Sequence, residues 1–312
     1  TYRGNLGIIF ARPESGKSSF CAFLAAEAIR KGHRVGYIMN EETAKRMKSR
    51  VLTAYFNVHK ETYMQEIENI KRVYKEEIED NLYIMDSVGS DVTEIDQFTK
   101  LNKIDVLALS IIQYTSGILI DFSFLNRIKE KYPKLLIIGD GTQFLGAHPF
   151  NFSNAPFDIV VGSGYKWLMA GFGNGVLIVS EKYLEQTKIT PSFLYSHIFK
   201  GHFNILATAS LRFAIEAFNR QDFKALMEQK AQITSAVKAR LVSLQLIAPW
   251  VIERPSHSSI FNIPGNESLY QKLRKNKIHC ALRGNGIRIS FHYYNQMREL
   301  DTLINVLESN DR

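Results

Sequence analysis

Cysteine is almost missing from this chain: 312 residues carry two, Cys21 and Cys280, far apart in sequence. That excludes a disulfide-stapled scaffold and fits a reducing cytoplasm, the expected compartment. No apolar run reaches the ~20 residues that a membrane helix needs. The first residues lack the apolar core of a secretory signal, so no membrane association is expected. Internal repeats and low-complexity linkers are missing as well. Acidic residues are in deficit, 31 against 39 basic, which gives a formal charge of +8 and a pI near 9.3. Such a balance permits nucleic-acid or anionic partners, but the basic residues are spread along the chain, as on a solvated cationic surface. What is present is ordinary for a globular protein: 45% hydrophobic and 22% charged residues, in a chain long enough for two domains.

The chain is organised around residues 135–175. An apolar run (LLIIG) ends in Asp140-Gly141-Thr142-Gln143, and a second run (DIVVG) leads into Ser163-Gly164-Tyr165-Lys166-Trp167 and then GFGNG. A carboxylate at the end of one buried strand and a lysine just past the next suggest a cofactor held across neighbouring strand ends. Pyridoxal phosphate needs that pair: a lysine for its aldehyde and a carboxylate to keep its ring nitrogen protonated. Taken singly, Asp140 caps a turn and Lys166 is a solvated lysine; the set with Gln143 and Ser163 is what points to the cofactor.

DGTQ, followed 26 positions on by the lysine of SGYKW and then by GFGNG, resembles the class V aminotransferase family of fold-type I pyridoxal-phosphate enzymes. That family includes cysteine desulfurases and kynureninase-like and epimerase-like members, and the resemblance covers roughly residues 98–312. It implies that Asp140 pairs with the pyridinium nitrogen, Gln143 donates to the phenolic oxygen and Thr142 lies against the ring face. Lys166 would form the internal aldimine and shuttle the substrate Cα proton. Ser163 and Tyr165 would bind the phosphate, with tyrosine standing where many desulfurases have histidine. Gln113, after the buried run Asp105–Ser110, is a further cofactor or substrate contact, or simply a turn glutamine. Arg288 in GIRISF would grip the substrate α-carboxylate through its planar guanidinium, unless it is a solvent-facing strand arginine; alternation places it opposite Ile287 and Ile289. Trp167 reads as packing. Cys280, within IHCALR, reads as a buried structural cysteine rather than the nucleophile a desulfurase would need. The implied enzyme acts on an amino acid, by transamination or by elimination at Cβ, and is a homodimer.

Residues 1–95 differ in character. LGIIF runs into Ala11-Arg12-Pro13-Glu14-Ser15-Gly16-Lys17-Ser18 and then a helical stretch, the strand-loop-helix order of a P-loop. There backbone amides and a helix N-terminus cradle phosphates. The segment, with RVGYIM ending at Asn40-Glu41-Glu42 and NLYIMD ending at Asp86, resembles the opening half of the RecA-like motor domain of hexameric replicative helicases. By position Gly16, Lys17 and Ser18 would bind ATP, Ser18 would hold Mg²⁺ if nucleotide binds, and Glu41 would orient the attacking water; Glu41 and Glu42 read equally as helix caps. Nucleic acid would be a partner only through this segment. No Walker B aspartate or arginine finger follows Asp86, so fast hydrolysis is not expected. The family's phosphate turn and ring-stacking residue have no counterpart before Asp105, and neither His59 nor Tyr63 has the context for it.

The expected fold is therefore α/β: a parallel or mixed sheet of a pyridoxal-phosphate transferase large domain (96–245), a C-terminal small α+β domain (246–312), and before them a partial P-loop RecA-like α/β segment (1–95). The leading function is a class V aminotransferase-like enzyme. The alternatives are an ATP-binding helicase-like P-loop fragment, or a non-catalytic fusion or remnant.

Overall fold

The structure, a computed structural model, describes residues 25–26, 29–30, 32, 34–39, 44–57, 66–86, 92–101, 106–193, 204–220, 223–254 and 256–309. Gly16, Lys17, Ser18, Glu41, Cys21, His59 and Tyr63 lie outside the described residues.

Two strands stand near the amino end. β1 (Val35–Met39) pairs in parallel with β2 (Leu82–Asp86), in a register running from Val35 opposite Leu82 to Met39 opposite Asp86. Between them α1 (Ala44–Phe56) and α2 (Ile67–Val73) supply Met47, Val51, Leu52 and Ile70 to a core shared with Ala25, Ala26 and Ile29. A further helix, α3 (Val92–Leu101), leads to the main sheet, where Ile95 joins the core and Asp96 pairs with Lys131 at 2.5 Å.

The main sheet has the order β3 (Val106–Ser110), β4 (Leu136–Asp140), β5 (Ile159–Ser163), β6 (Gly175–Val179). The first three are parallel and β6 runs antiparallel to β5. Leu107, Leu109, Ile137, Ile159 and Val160 are buried, the near-continuous apolar pattern of strands covered on both faces. Each such side chain contributes about 1.5–3 kcal/mol by leaving water. The crossover helix α4 (Phe122–Lys131) starts where the Asp121 side chain accepts from Ser123 N at 2.9 Å. It buries Phe124, Leu125 and Ile128, while Phe122, expected on that face, is half-buried and packs edge-on to Phe157. At the amino ends of β4 and β5, Asp158 accepts from Lys129 Nζ (2.6 Å) and from Ile137 N (2.8 Å), which leaves the opposite, carboxyl ends for chemistry.

Past β6 come α5 (Glu181–Thr187), α6 (Ile205–Arg220) and the long α7 (Phe223–Ser243). The small sheet is antiparallel in the order β7 (Ile260–Pro264), β9 (Gly286–Ser290), β8 (Ala281–Arg283), covered by α8 (Glu267–Lys275) and α9 (Met297–Glu308). A capping box of Gln296 and Glu299 opens α9. β8 is shorter than the run KIHCAL implies. Lys277 has φ +61, and the amides of Lys277 and Ile278 turn back to Arg274 and Leu273 at the end of α8, so they cannot enter the ladder. Cys280 consequently precedes the strand, half-buried against the small core, and burial raises its thiol pKa.

Candidate active site

Parallel pairing brings the carboxyl ends of β4 and β5 side by side, with Asp140 opposite Val161. Asp140 is exposed there, and its Oδ1 accepts from Thr142 N at 2.8 Å, an Asx turn that fixes the carboxylate at the strand tip. Gln143 follows inside the turn and is buried; its Oε1 accepts from Trp167 Nε1 at 3.0 Å, and its Nε2 is buried without a partner among the described residues. Ser163, the last residue of β5, likewise carries a buried hydroxyl without a described partner.

Lys166 stands three residues beyond β5 in a loop closed by Ala170 N to Gly164 O (2.8 Å) and Met169 N to Lys166 O (3.0 Å). A Cβ on Gly164 would lie 2.0 Å from Asn174 Oδ1, so a larger residue would displace that side chain. Asn174 Nδ2 in turn donates to the carbonyls of Ala170 and Ala207 and ties the glycine-rich turn to α6. Tyr165 stacks on Phe172, with ring centroids 5.3 Å apart.

Two residues 174 positions apart close the other side. Arg288 Nε donates to Tyr114 O at 2.6 Å, and its guanidinium lies 4.5 Å from the Tyr114 ring centroid. Lys166 Nζ lies 4.8 Å from the same ring. Arg288 is half-buried, with Ile287 and Ile289 buried on the opposite face of β9, as alternation predicts. The small sheet and the main sheet's loops approach closely just here: a Cβ on Gly117, at φ +73, would fall 1.9 Å from Ile260 O. Gln113 is buried, and its Oε1 accepts from the Ser116 hydroxyl within the turn.

Beneath this loop lies a buried basic cluster. Lys230 of α7 is 4% exposed, its Nζ sits 5.0 Å from the Trp167 ring, and burial pulls its pKa down to about 8. His292 stacks on Trp167 (4.7 Å, 11°), and burial, then the charge of Lys230, lowers its pKa to about 4. Burial, Lys230 and His257 lower that of His148 to about 3. Among the described residues no group of His, Cys, Asp and Glu is arranged to hold a metal ion.

The structure thus brings Asp140, Thr142, Gln143, Ser163, Tyr165, Lys166 and Arg288 to one end of the sheet, and Gln113 to the same loop region. Sequence reasoning missed Tyr114, Lys230 and His292, and took Trp167 as filler. An indole beside a lysine was the available signal, because a buried indole N–H needs an acceptor. The donor set fits pyridoxal phosphate: an exposed carboxylate, a buried amide donor and a buried hydroxyl without partners among the described residues, an amine, and an anchored guanidinium.

The family profile described as "Aminotransferase class-V" matches residues 81–303, and that described as "DnaB-like helicase C terminal domain" matches residues 1–130. No curated protein sequence matches the chain. The apo structure of a cysteine desulfurase from Thermococcus onnurineus NA1 is similar, with a TM-score of 0.65 at 17% identity, over 94% of this chain and 76% of that one. An alanine–glyoxylate aminotransferase from Nostoc sp. gives 0.64 at 13%, over 95% and 80%. A C-DES variant with glycine covalently linked to its PLP cofactor gives 0.63 at 13%, over 91% and 77%. These likenesses show an α/β fold with a mixed sheet shared with such enzymes. Coverage of 94% cannot be reached by residues 106–312 alone, so the fold alignment extends into the N-terminal segment.

Proposed function

Because the chain belongs to the class V aminotransferase family, we propose that it is a pyridoxal-phosphate-dependent enzyme acting on an amino acid through Lys166. The observation that carries this reading is the convergence of Lys166 and Arg288 on the Tyr114 ring beside the strand end that bears Asp140. When bound, the cofactor supplies an aldehyde carbon for amines and a ring that withdraws electrons from the substrate Cα.

The chain's own residues do the rest. Asp140, fixed by its turn, would hold the proton on the ring nitrogen. Gln143 Nε2 would donate to the phenolic oxygen, and Thr142 would lie against the ring. Ser163 Oγ and Tyr165 would hold the phosphate, and Gln113 would line the site from the turn after β3. The Lys166 amine would hold the cofactor and would move the substrate Cα proton as base and then acid. Arg288, held by the bond from Nε to Tyr114 O, would bind the substrate carboxylate through its guanidinium and so orient Cα. Transamination and Cβ elimination both begin with this proton transfer. The raised thiol pKa of Cys280 disfavours its use as a desulfurase nucleophile. We place the enzyme in the cytoplasm as a homodimer.

The helicase-like match over residues 1–130 favours a second reading, nucleotide binding by Gly16, Lys17 and Ser18 with Mg²⁺ on Ser18 and Glu41 beside the attacking water. An absorption spectrum of protein given pyridoxal phosphate, before and after borohydride, with mass mapping of the adduct, tests the first reading. A yellow protein whose adduct maps to Lys166 supports it. A protein that stays colourless, or an adduct on another lysine, overturns it.

A further inference from the structure

Trp167 is 5% exposed and meets three parts of the chain. Its ring faces Lys230 Nζ of α7 at 5.0 Å and His292 of the small domain at 4.7 Å, and its Nε1 donates to Gln143 Oε1 at 3.0 Å. An indole N–H can only donate, whereas a glutamine amide has an accepting end and a donating end. The oxygen of Gln143 must therefore face Trp167, and the NH2 group is turned the other way. With the amide reversed, two donors would meet at the indole and the oxygen would face any acceptor on the far side, so both contacts would be lost. The NH2 nitrogen is buried and has no partner among the described residues, which marks it as a donor made ready for an acceptor.

We infer that Trp167 is a positioning residue whose indole N–H locks the Gln143 amide with its NH2 group toward the cofactor's phenolic oxygen. The inference rests on the proposed cofactor site. Because Lys230 and His292 flank the indole, α7 and the small domain both help to set the hydrogen bond offered beside Lys166. The same contacts tie the residue after Lys166 to the turn after β4.

The test uses the full chain loaded with pyridoxal phosphate and the variants Trp167→Phe, Gln143→Met and the double variant. Phenylalanine keeps an aromatic ring against His292 but has no N–H. The absorbance of the lysine-bound chromophore is titrated with pH. A donor at the phenolic oxygen favours loss of the linkage proton, so Trp167→Phe is expected to move that titration up by about half a pH unit or more, roughly threefold in the proton equilibrium. Gln143→Met should move it at least as far, and the double variant should match Gln143→Met alone, because the two residues act in series. A Trp167→Phe protein that titrates as the wild type, or shifts that add, would overturn the inference. A second readout needs no cofactor. The chain has two tryptophans, and Trp250 is 44% exposed, so the two indole N–H signals are separable by exchange rate. The Trp167 signal should exchange slowly and become about tenfold faster in Gln143→Met; fast exchange in the wild type overturns the lock. Slow exchange in a protein that takes up no cofactor upholds the lock but overturns the proposed function and the acceptor named here.

Discussion

Two parallel strand pairs in this chain finish alike. β1 and β2 end with Met39 opposite Asp86, and β3 and β4 end with Ser110 opposite Asp140, so each pair carries an aspartate at a carboxyl tip. Among the described residues only the second gathers the groups of the proposed site. There a third parallel strand delivers Ser163 and Lys166 beside the aspartate, a turn buries Gln143, and Arg288 arrives from the small sheet. The difference teaches that a strand-end carboxylate is a turn cap until further groups converge on the same face. Convergence, not the aspartate, separates the two regions.

Four changes, two of them paired with a control substitution, break or sharpen that comparison. The largest effect belongs to Lys166→Ala, which should abolish the borohydride-trapped adduct and the yellow colour, while Lys17→Ala leaves both and removes any bound nucleotide, as read by a fluorescent ATP analogue. Next, Asp140→Asn should slow turnover on the order of 10²-fold, the scale of losing one electrostatic partner in a preorganised site. Asp86→Asn should leave turnover unchanged; equal loss in both variants would erase the distinction between the strand pairs.

A smaller effect is expected at the substrate end. Arg288→Leu should raise the amino-acid concentration needed for half-saturation by about 10- to 100-fold, the range for removing a charged hydrogen-bonding partner, with little change in cofactor uptake. Last comes Lys230→Met. Burial lowers the Lys230 pKa from 10.5 to about 8, so the unfolded chain binds more protons between these values and wild-type stability rises across that window. Below pH 8 the folded state carries the full cost of a buried charge. Lys230→Met should therefore stabilise the fold at pH 7 by about 2 kcal/mol, desolvation relieved less the lost contact with Trp167. It should also flatten the rise between pH 8 and 10.5 in urea titrations. A destabilised variant would mean that the amine supports the Trp167 loop rather than straining it.

Much of the fold was legible because its signals are local. Apolar runs ended by Asp or Ser located β3 to β5, and the alternation in IRISF placed Arg288 on the correct face. The run KIHCAL misled, since its first residues close α8 through a left-handed Lys277, which no hydrophobic pattern reveals. The sequence reading divides the two resemblances at residue 95, but the two family profiles overlap across residues 81–130. That stretch is a strand, a helix and a strand, then a crossover helix, an arrangement common to both folds, so pattern alone does not divide it.

The sequence by itself determined the order of elements, the strand ends that carry Asp140 and Lys166, and the residue types a pyridoxal-phosphate site requires, because periodicity and turn chemistry act over a few residues. Tertiary structure alone decided that Arg288 anchors on Tyr114, that Trp167 is a hydrogen-bond donor to Gln143 rather than filler, and that Lys230 is buried against it. Hydrogen-bond partners and desolvation depend on which distant elements pack together, and a strand-end amide acquires its orientation only from what packs on its other side.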